Sequence, residues 1–150
     1  MNTYDPQKAQ RVWQRVHSQN EESPREGNLQ ELIMNEREAA ATYLRLSRQA
    51  NPREASVLQR LFREEQTHVA CLKGIYTLIT GLAPTTRSPQ PVSEPMEVTL
   101  RKCYGREMRS LKEYEARSDD PEYGHVFRRL AEQEREHCRA VLELIGGLPK

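Results

Sequence analysis

The sequence has few cysteines and almost no excess of either charge, and each shortage argues against a class of protein. Its 150 residues include three cysteines, Cys71, Cys103 and Cys138, with no Cys-x-x-Cys pair. This argues against a disulfide framework and against a four-cysteine metal site, so we interpret all three as small core or interface thiols. The 23 Lys and Arg against 22 Asp and Glu leave a net charge of +1, too small for an electrostatic nucleic-acid binder.

The sequence also lacks an apolar run long enough to span a membrane. Its longest apolar-leaning stretch, residues 75–83, contains threonine and glycine and is shorter than the roughly 20 residues that a transmembrane helix needs. The first residues after Met1 form neither the basic nor the apolar part of a signal peptide. We therefore expect a cytoplasmic protein with neither a membrane nor a nucleic acid among its partners.

The apolar residues that are present recur at helical spacing and do not alternate as in a strand. Asn51-Pro52 and Asp120-Pro121 each predict a helix start, with the first residue as N-cap and proline at the first helical position. The pattern predicts a short helix and then four longer ones, near residues 5–19, 29–49, 53–80, 95–118 and 121–146.

The connections between the four longer helices indicate the topology. Tight turns join the first to the second and the third to the fourth, which makes two antiparallel hairpins, whereas the middle connection, Gly81–Glu94, is long and rich in proline. Its fourteen residues would span about 43 Å in a polyproline-like state, and a helix of about 25 residues is about 37 Å long. We therefore predict a ferritin-like antiparallel four-helix bundle as a single domain over residues 29–150, preceded by an N-terminal helix and linker over residues 1–28.

The two hairpins are copies of one unit. Residues 52–68 and 121–137 share six identities in seventeen aligned positions, and residues 29–47 share four more with residues 100–118. Two copies predict a pseudo-twofold bundle in which equivalent residues face each other. The identities include the polar pairs Glu36/Glu107, Tyr43/Tyr114, Glu65/Glu134 and His68/His137.

Each long helix carries an apolar stripe that one glutamate interrupts near its middle, and the second and fourth helices add a histidine one turn later. Within each hairpin these residues lie at about the same distance from the turn, so the carboxylates and imidazoles converge on one level of the core. Buried unpaired carboxylates cost several kcal/mol each, and no Lys or Arg lies in this part of the stripes. The candidate metal ligands are Glu36, Glu65, His68, Glu107, Glu134 and His137.

This donor set favours two iron ions, or manganese, over zinc or calcium, because it combines many carboxylates with two imidazoles. A metal-free polar core is the alternative. Other charged residues are interpreted as solvent-facing, namely Glu38, Glu64, Glu132 and Glu136. We interpret His17 and His125 as surface or packing residues, and we expect Trp13 to pack on the bundle or on a second subunit of a homodimer.

The Glu-x6-Tyr and Glu-x-x-His elements, each present twice, resemble the rubrerythrin-type branch of the ferritin-like superfamily over residues 29–146. The resemblance implies that the four glutamates bind metal, with Glu65 and Glu134 bridging, and that each histidine binds one metal ion. It also implies that Tyr43 and Tyr114 lie beside the site and donate hydrogen bonds to ligands. Alternatively, the two tyrosines only fill space in the core, with their hydroxyls satisfied by a hydrogen bond.

The resemblance further implies a peroxidase-like oxidoreductase whose two iron ions react with hydrogen peroxide or oxygen. Rubrerythrins usually carry a rubredoxin domain with two Cys-x-x-Cys pairs, and this sequence has none, so electrons would come from an external donor such as a rubredoxin. Rubrerythrins also offer an extra carboxylate where this chain has Ser110, which argues against peroxide-linked ligand switching. The set of six candidate ligands resembles the metal centres of bacterioferritin-like ferroxidases and of manganese catalases just as closely. An iron-storage ferroxidase, a manganese catalase-like enzyme and a non-catalytic metal-binding bundle therefore stay open.

Overall fold

The computed structural model describes residues 6–7, 11 and 29–149, and the regular elements found there are helices without any strand. The fold class predicted from the sequence, an all-α bundle of four long helices, is confirmed. The predicted boundaries are correct to within three residues at all eight helix ends. The helices are α1 (Leu29–Ser47), α2 (Pro52–Thr80), α3 (Met96–Ala116) and α4 (Gly124–Gly146).

The N-terminal helix predicted near residues 5–19 lies almost entirely outside the described residues. Within it only Pro6, Gln7 and Arg11 are described, and all three are helical. The expectations for Trp13 and His17, and the linker that ends at residue 28, also lie outside the described part of the chain.

The four helices pack as two hairpins. Helix α1 packs along α2 and α3 packs along α4, and the two hairpins meet where α1 contacts α3 and α2 contacts α4. Buried apolar side chains form two separate clusters, one around Leu29, Leu72 and Leu130 and the other around Leu46, Leu61 and Val141. The predicted glutamates and histidines occupy the layer between these clusters, so apolar packing encloses that layer from both ends of the bundle.

The two hairpin turns use different chemistry. In the first, the side chain of Asn51 accepts a hydrogen bond of 2.9 Å from the backbone N–H of Glu54, and α2 begins at Pro52 as predicted. In the second, the continuous helix begins at Gly124, three residues after the predicted start at Pro121.

Asp120 nevertheless caps the turn that precedes α4. Its Oδ1 accepts hydrogen bonds from the backbone N–H groups of Glu122 and Tyr123, at 2.9 and 2.8 Å. The chain then passes so close to the end of the first helix of this hairpin that a Cβ on Gly124 would lie 2.4 Å from the carbonyl oxygen of Ser118. The regular helix therefore begins where the backbones of the two helices come close together.

The link between the hairpins is the long crossover that the sequence predicts. Helix α2 ends at Thr80 and is capped by Gly81, whose φ of 73° lies in the left-handed region that glycine adopts without strain. Near the start of α1, the N–H of Thr85 donates a 2.9 Å hydrogen bond to Oε1 of Gln30. Further on, Pro89 and Pro91 border a groove together with Arg45 near the end of α1. The link therefore runs along α1 and returns the chain to the opposite end of the bundle.

In the described part of the chain, no helix has an apolar stretch long enough to cross a bilayer.

Candidate metal centre

All six residues predicted as metal ligands are buried in one layer of the bundle. None has a relative exposure above 2%. The helical period places each of them on the inner face of its helix, and the two hairpins bring the four inner faces together. The layer consists of Glu36, Glu65, His68, Glu107, Glu134 and His137.

The residues of α2 and α4 form the centre of this layer. One ligand atom from each of Glu65, His68, Glu134 and His137 lies within 4.8 Å of the others, which is close enough for a shared metal ion. Nδ1 of His68 lies 2.8 Å from Oε1 of Glu134, and Nδ1 of His137 lies 2.7 Å from Oε1 of Glu65. Each histidine therefore reaches across to the glutamate of the other hairpin, and the two rings stack with centroids 5.3 Å apart.

The glutamates of α1 and α3 flank this centre on opposite sides. Oε2 of Glu36 lies 3.6 Å from Nδ1 of His68, and Oε2 of Glu107 lies 3.6 Å from Nδ1 of His137. The structure thus brings together every candidate ligand that the sequence predicts. It also assigns one flanking glutamate to each histidine, as the pseudo-twofold repeat requires.

The two tyrosines contact the flanking glutamates in a reciprocal arrangement. The Tyr43 hydroxyl donates a 2.6 Å hydrogen bond to Glu107, and the Tyr114 hydroxyl donates a 2.5 Å hydrogen bond to Glu36. Burial and the negative charge of the glutamate partner raise the pKa of each tyrosine well above its usual value, so both hydroxyls stay protonated donors. The predicted hydrogen bonds are present, and a catalytic role for the tyrosines stays a prediction.

The outer nitrogen of each histidine contacts a residue that the sequence analysis missed. Nε2 of His68 lies 2.7 Å from Oε1 of Gln133, and Nε2 of His137 lies 2.7 Å from Oε2 of Glu64. The interpretation of Glu64 as a solvent-facing charge is therefore wrong, because its carboxylate turns inward to a fully buried ring. The repeat itself held a signal, since these two residues are equivalent and directly precede Glu65 and Glu134.

Burial and proximity shift the proton affinities within the layer. Burial alone lowers the pKa of His68, but close contact with the carboxylates of Glu134 and Glu36 outweighs it and raises that pKa to about 11. Burial and the charges of Glu36 and Glu107 raise the pKa of Glu134 well above its usual range. Burial also disfavours the charged form of Glu107, yet its contacts with Glu134 and His137 outweigh burial and lower its pKa. Without metal, the layer therefore retains protons to limit the repulsion between its carboxylates.

Several polar atoms of this layer lack a hydrogen-bond partner, and their positions fit a metal ion. These atoms, all buried, are Oε2 of Glu65, Nδ1 of His68 and both carboxylate oxygens of Glu134. Nδ1 of His68 and Oε1 of Glu134 are close to each other, but their geometry is not that of a hydrogen bond. Within the described residues, the ion pairs of the four glutamates involve histidine and neither Lys nor Arg. Leaving such groups unsatisfied is costly, and a divalent cation would satisfy and neutralise them together.

The cysteines do not add to this donor set. All three are free thiols, and burial raises the pKa of Cys103 and of Cys138 to about 11. The group of ligand atoms that lie close together comes from Glu65, His68, Glu134 and His137 and includes no thiol. The interpretation of the cysteines as core thiols is confirmed, and the cluster offers carboxylate and imidazole ligands.

Comparisons of the chain with protein-family models, with curated proteins and with solved structures gave no match. The resemblance to rubrerythrin-type proteins therefore stays a prediction, which depends on the repeated sequence motifs. The buried cluster of Glu65, His68, Glu134 and His137 depends on the geometry above and has the residue types and spacing to bind a metal ion.

Proposed function

We propose that this chain is a dinuclear metal-binding redox protein that reduces hydrogen peroxide or oxygen with electrons from a separate donor. One observation supports this proposal above all. Four buried glutamates, which pair with no Lys or Arg among the described residues, face two histidine Nδ1 atoms in a duplicated arrangement, and several of their atoms are unsatisfied. A structural core has no need of such an arrangement, because apolar side chains would stabilise the same positions at less cost.

Two metal positions follow from how the donors are grouped. Glu36 and His68 would hold one ion, and Glu107 and His137 would hold the other, because each flanking glutamate approaches its own histidine. Glu65 and Glu134 would contribute to both, since their carboxylates lie between the histidines. Carboxylate and imidazole donors without thiolate suit iron or manganese.

A pair of iron ions would supply the two electrons that reduction of one peroxide molecule requires. The chain itself contributes positioning and exclusion of water. The tyrosine hydroxyls fix one oxygen of each flanking glutamate and leave the other directed toward a histidine. The apolar clusters on both sides of the layer exclude bulk water, which strengthens electrostatic interactions inside it.

Metal analysis of natively expressed protein tests the proposal, together with an optical spectrum before and after peroxide. We expect close to two iron or manganese ions per chain. The double variant Glu65→Ala/Glu134→Ala should abolish binding. The matched control Glu132→Ala/Glu136→Ala should not, because both of its positions are exposed on α4.

The reduced iron form should be oxidised quickly by peroxide, whereas continued turnover should need an added donor such as a rubredoxin. Sustained peroxide consumption without any reductant would identify a catalase instead. Oxygen-driven accumulation of ferric mineral would identify a ferroxidase. A wild-type chain that binds no metal under anaerobic conditions would overturn the proposal as a whole.

A further inference from the structure

The two halves of the glutamate and histidine layer differ in the group that contacts the outer nitrogen of each histidine. A carboxylate oxygen of Glu64 lies 2.7 Å from Nε2 of His137, and an amide oxygen of Gln133 lies 2.7 Å from Nε2 of His68. These two positions are equivalent in the internal repeat, so the same contact is made once by a charged group and once by a neutral one.

Both contacts favour the same tautomer when the histidines are neutral. A carboxylate can only accept a hydrogen bond, and an amide oxygen likewise accepts, so Nε2 carries the hydrogen in each ring. In a neutral ring the lone pair then belongs to Nδ1, which faces a glutamate carboxylate in both cases, so a metal ion that binds Nδ1 would take the place of a proton there. The two histidines are therefore oriented alike, and they differ in how strongly the outer partner polarises the ring.

A second charged group accompanies Glu64. The guanidinium of Arg60 lies 3.5 Å from Oε1 of Glu64, while Oε2 of the same carboxylate faces His137. The two oxygens of the Glu64 carboxylate thus have different partners, one on its own helix and one in the buried layer. The rest of the layer is nearly symmetric, because each flanking glutamate accepts from a tyrosine and lies 3.6 Å from its histidine.

We propose that the two metal positions are inequivalent, and that the position at His137 binds a divalent cation more tightly than the position at His68. Glu64 is the positioning residue that causes the difference. A carboxylate that accepts from a ligand histidine raises the basicity of that ligand, and such partners typically change metal affinity by about 10–100-fold. This inference rests on the proposed dinuclear site and adds an order of filling to it.

Anaerobic titration of the metal-free full-length chain with Co²⁺ tests the inference, with calorimetry and visible absorption as readouts. We expect two steps in the wild type, separated by about 10–100-fold in affinity. Glu64→Gln gives both histidines an amide partner and should merge the steps by weakening the first. Gln133→Glu gives both a carboxylate and should merge them by strengthening the second.

Two control variants make the same changes of charge at exposed positions on the same two helices. Glu136→Gln removes an exposed charge from α4, and Gln66→Glu adds an exposed charge to α2, so neither should change the separation of the steps. The gain of affinity in Gln133→Glu cannot result from partial unfolding, which makes it the decisive variant. In ¹⁵N spectra of histidine, Glu64→Gln should shift the Nε2–H signal of His137 and leave that of His68 in place.

The outcomes separate this inference from the proposed function. Two ions that bind with equal affinity, or a separation that neither Glu64→Gln nor Gln133→Glu alters, would overturn the inequivalence and leave the dinuclear site intact. A wild-type chain that binds no Co²⁺ at all would overturn both.

Discussion

The hydroxyl of Tyr43 on α1 donates a 2.6 Å hydrogen bond to Oε1 of Glu107 on α3, 64 residues later in the chain. The equivalent bond runs in the opposite direction, from Tyr114 on α3 to Glu36 on α1. The repeat thus connects its two copies by exchanging the same contact. Each bond joins the hairpins and also fixes the carboxylate that faces the nearest histidine.

Removing one of these hydroxyls should destabilise the metal-free protein. Tyr43→Phe leaves Oε1 of the buried Glu107 without its donor, and an unsatisfied buried group costs about 1–3 kcal/mol. We expect the free energy of unfolding in urea to fall by about that amount. Tyr114→Phe should behave alike because Glu36 is equally buried.

Tyr104→Phe is the control, since Tyr104 is half-buried against the apolar cluster on one side of the layer. Its loss should change the free energy of unfolding by less than either of the other two substitutions. Equal effects at Tyr104 and Tyr43 would show that the hydroxyl contact with Glu107 contributes nothing specific.

Helical periodicity was sufficient to predict the glutamate and histidine layer. Spacing by threes and fours identified which residues share the inner face of each helix, and the repeat identified which faces are equivalent. Burial of the six candidate ligands, at 0–2% exposure, follows from that face alone.

Periodicity could not predict the contacts of Glu64, because a residue adjacent to the inner face points inward or outward according to its rotamer and the rotation of its helix. Its side chain keeps 35% exposure while its carboxylate reaches His137. Periodicity also did not predict that α4 begins at Gly124. The approach of Gly124 to the backbone of Ser118 depends on how two helices meet, and the residue pattern does not encode that distance directly.

Metal should stabilise the folded wild-type chain, because the layer assembles its ligands only on folding. A ligand at about 100 times its dissociation constant adds about 2.7 kcal/mol to the stability of a one-site protein. We expect a higher Tm with added Mn²⁺ under anaerobic conditions, and EDTA should reverse the increase. Glu65→Gln/Glu134→Gln should lose the response, whereas Glu136→Gln should retain it.

Two glycine substitutions should have opposite effects on stability. Gly124→Ala places a Cβ 2.4 Å from the carbonyl oxygen of Ser118, and because backbone must shift, we expect a loss of about 1–3 kcal/mol. Gly74→Ala lies at an exposed position within α2 with open space around it, and should add about 0.5–1 kcal/mol. Urea unfolding measures both. Similar values of the same sign would contradict the close approach at the second turn.

The contribution of Glu134 and His68 to the stability of the metal-free protein should decrease as pH rises. Glutamate titrates near about 4.3 in an unfolded chain, and the pKa of Glu134 is raised in the fold. The folded state therefore holds more protons, so this contribution is complete below about pH 4.3 and is lost as pH rises through the raised value. His68 acts in the same direction, from about 6.5 in the unfolded chain to about 11 in the fold.

Comparing the stability of the wild type with that of Glu134→Gln separates the effect of these two groups from the effect of the surface carboxylates. The variant removes the carboxyl whose pKa is raised, and it also removes the contact that contributes to the high pKa of His68. We therefore expect Glu134→Gln to gain stability relative to wild type as pH rises from about 5 to 8. Glu107 has the opposite dependence, but its lowered pKa places that change below this window. The control Glu136→Gln, at an exposed position, should differ from wild type by a constant amount. If Glu134→Gln also differs by a constant amount in urea unfolding with EDTA present, the layer is hydrated and the buried cluster on which the metal centre depends is wrong.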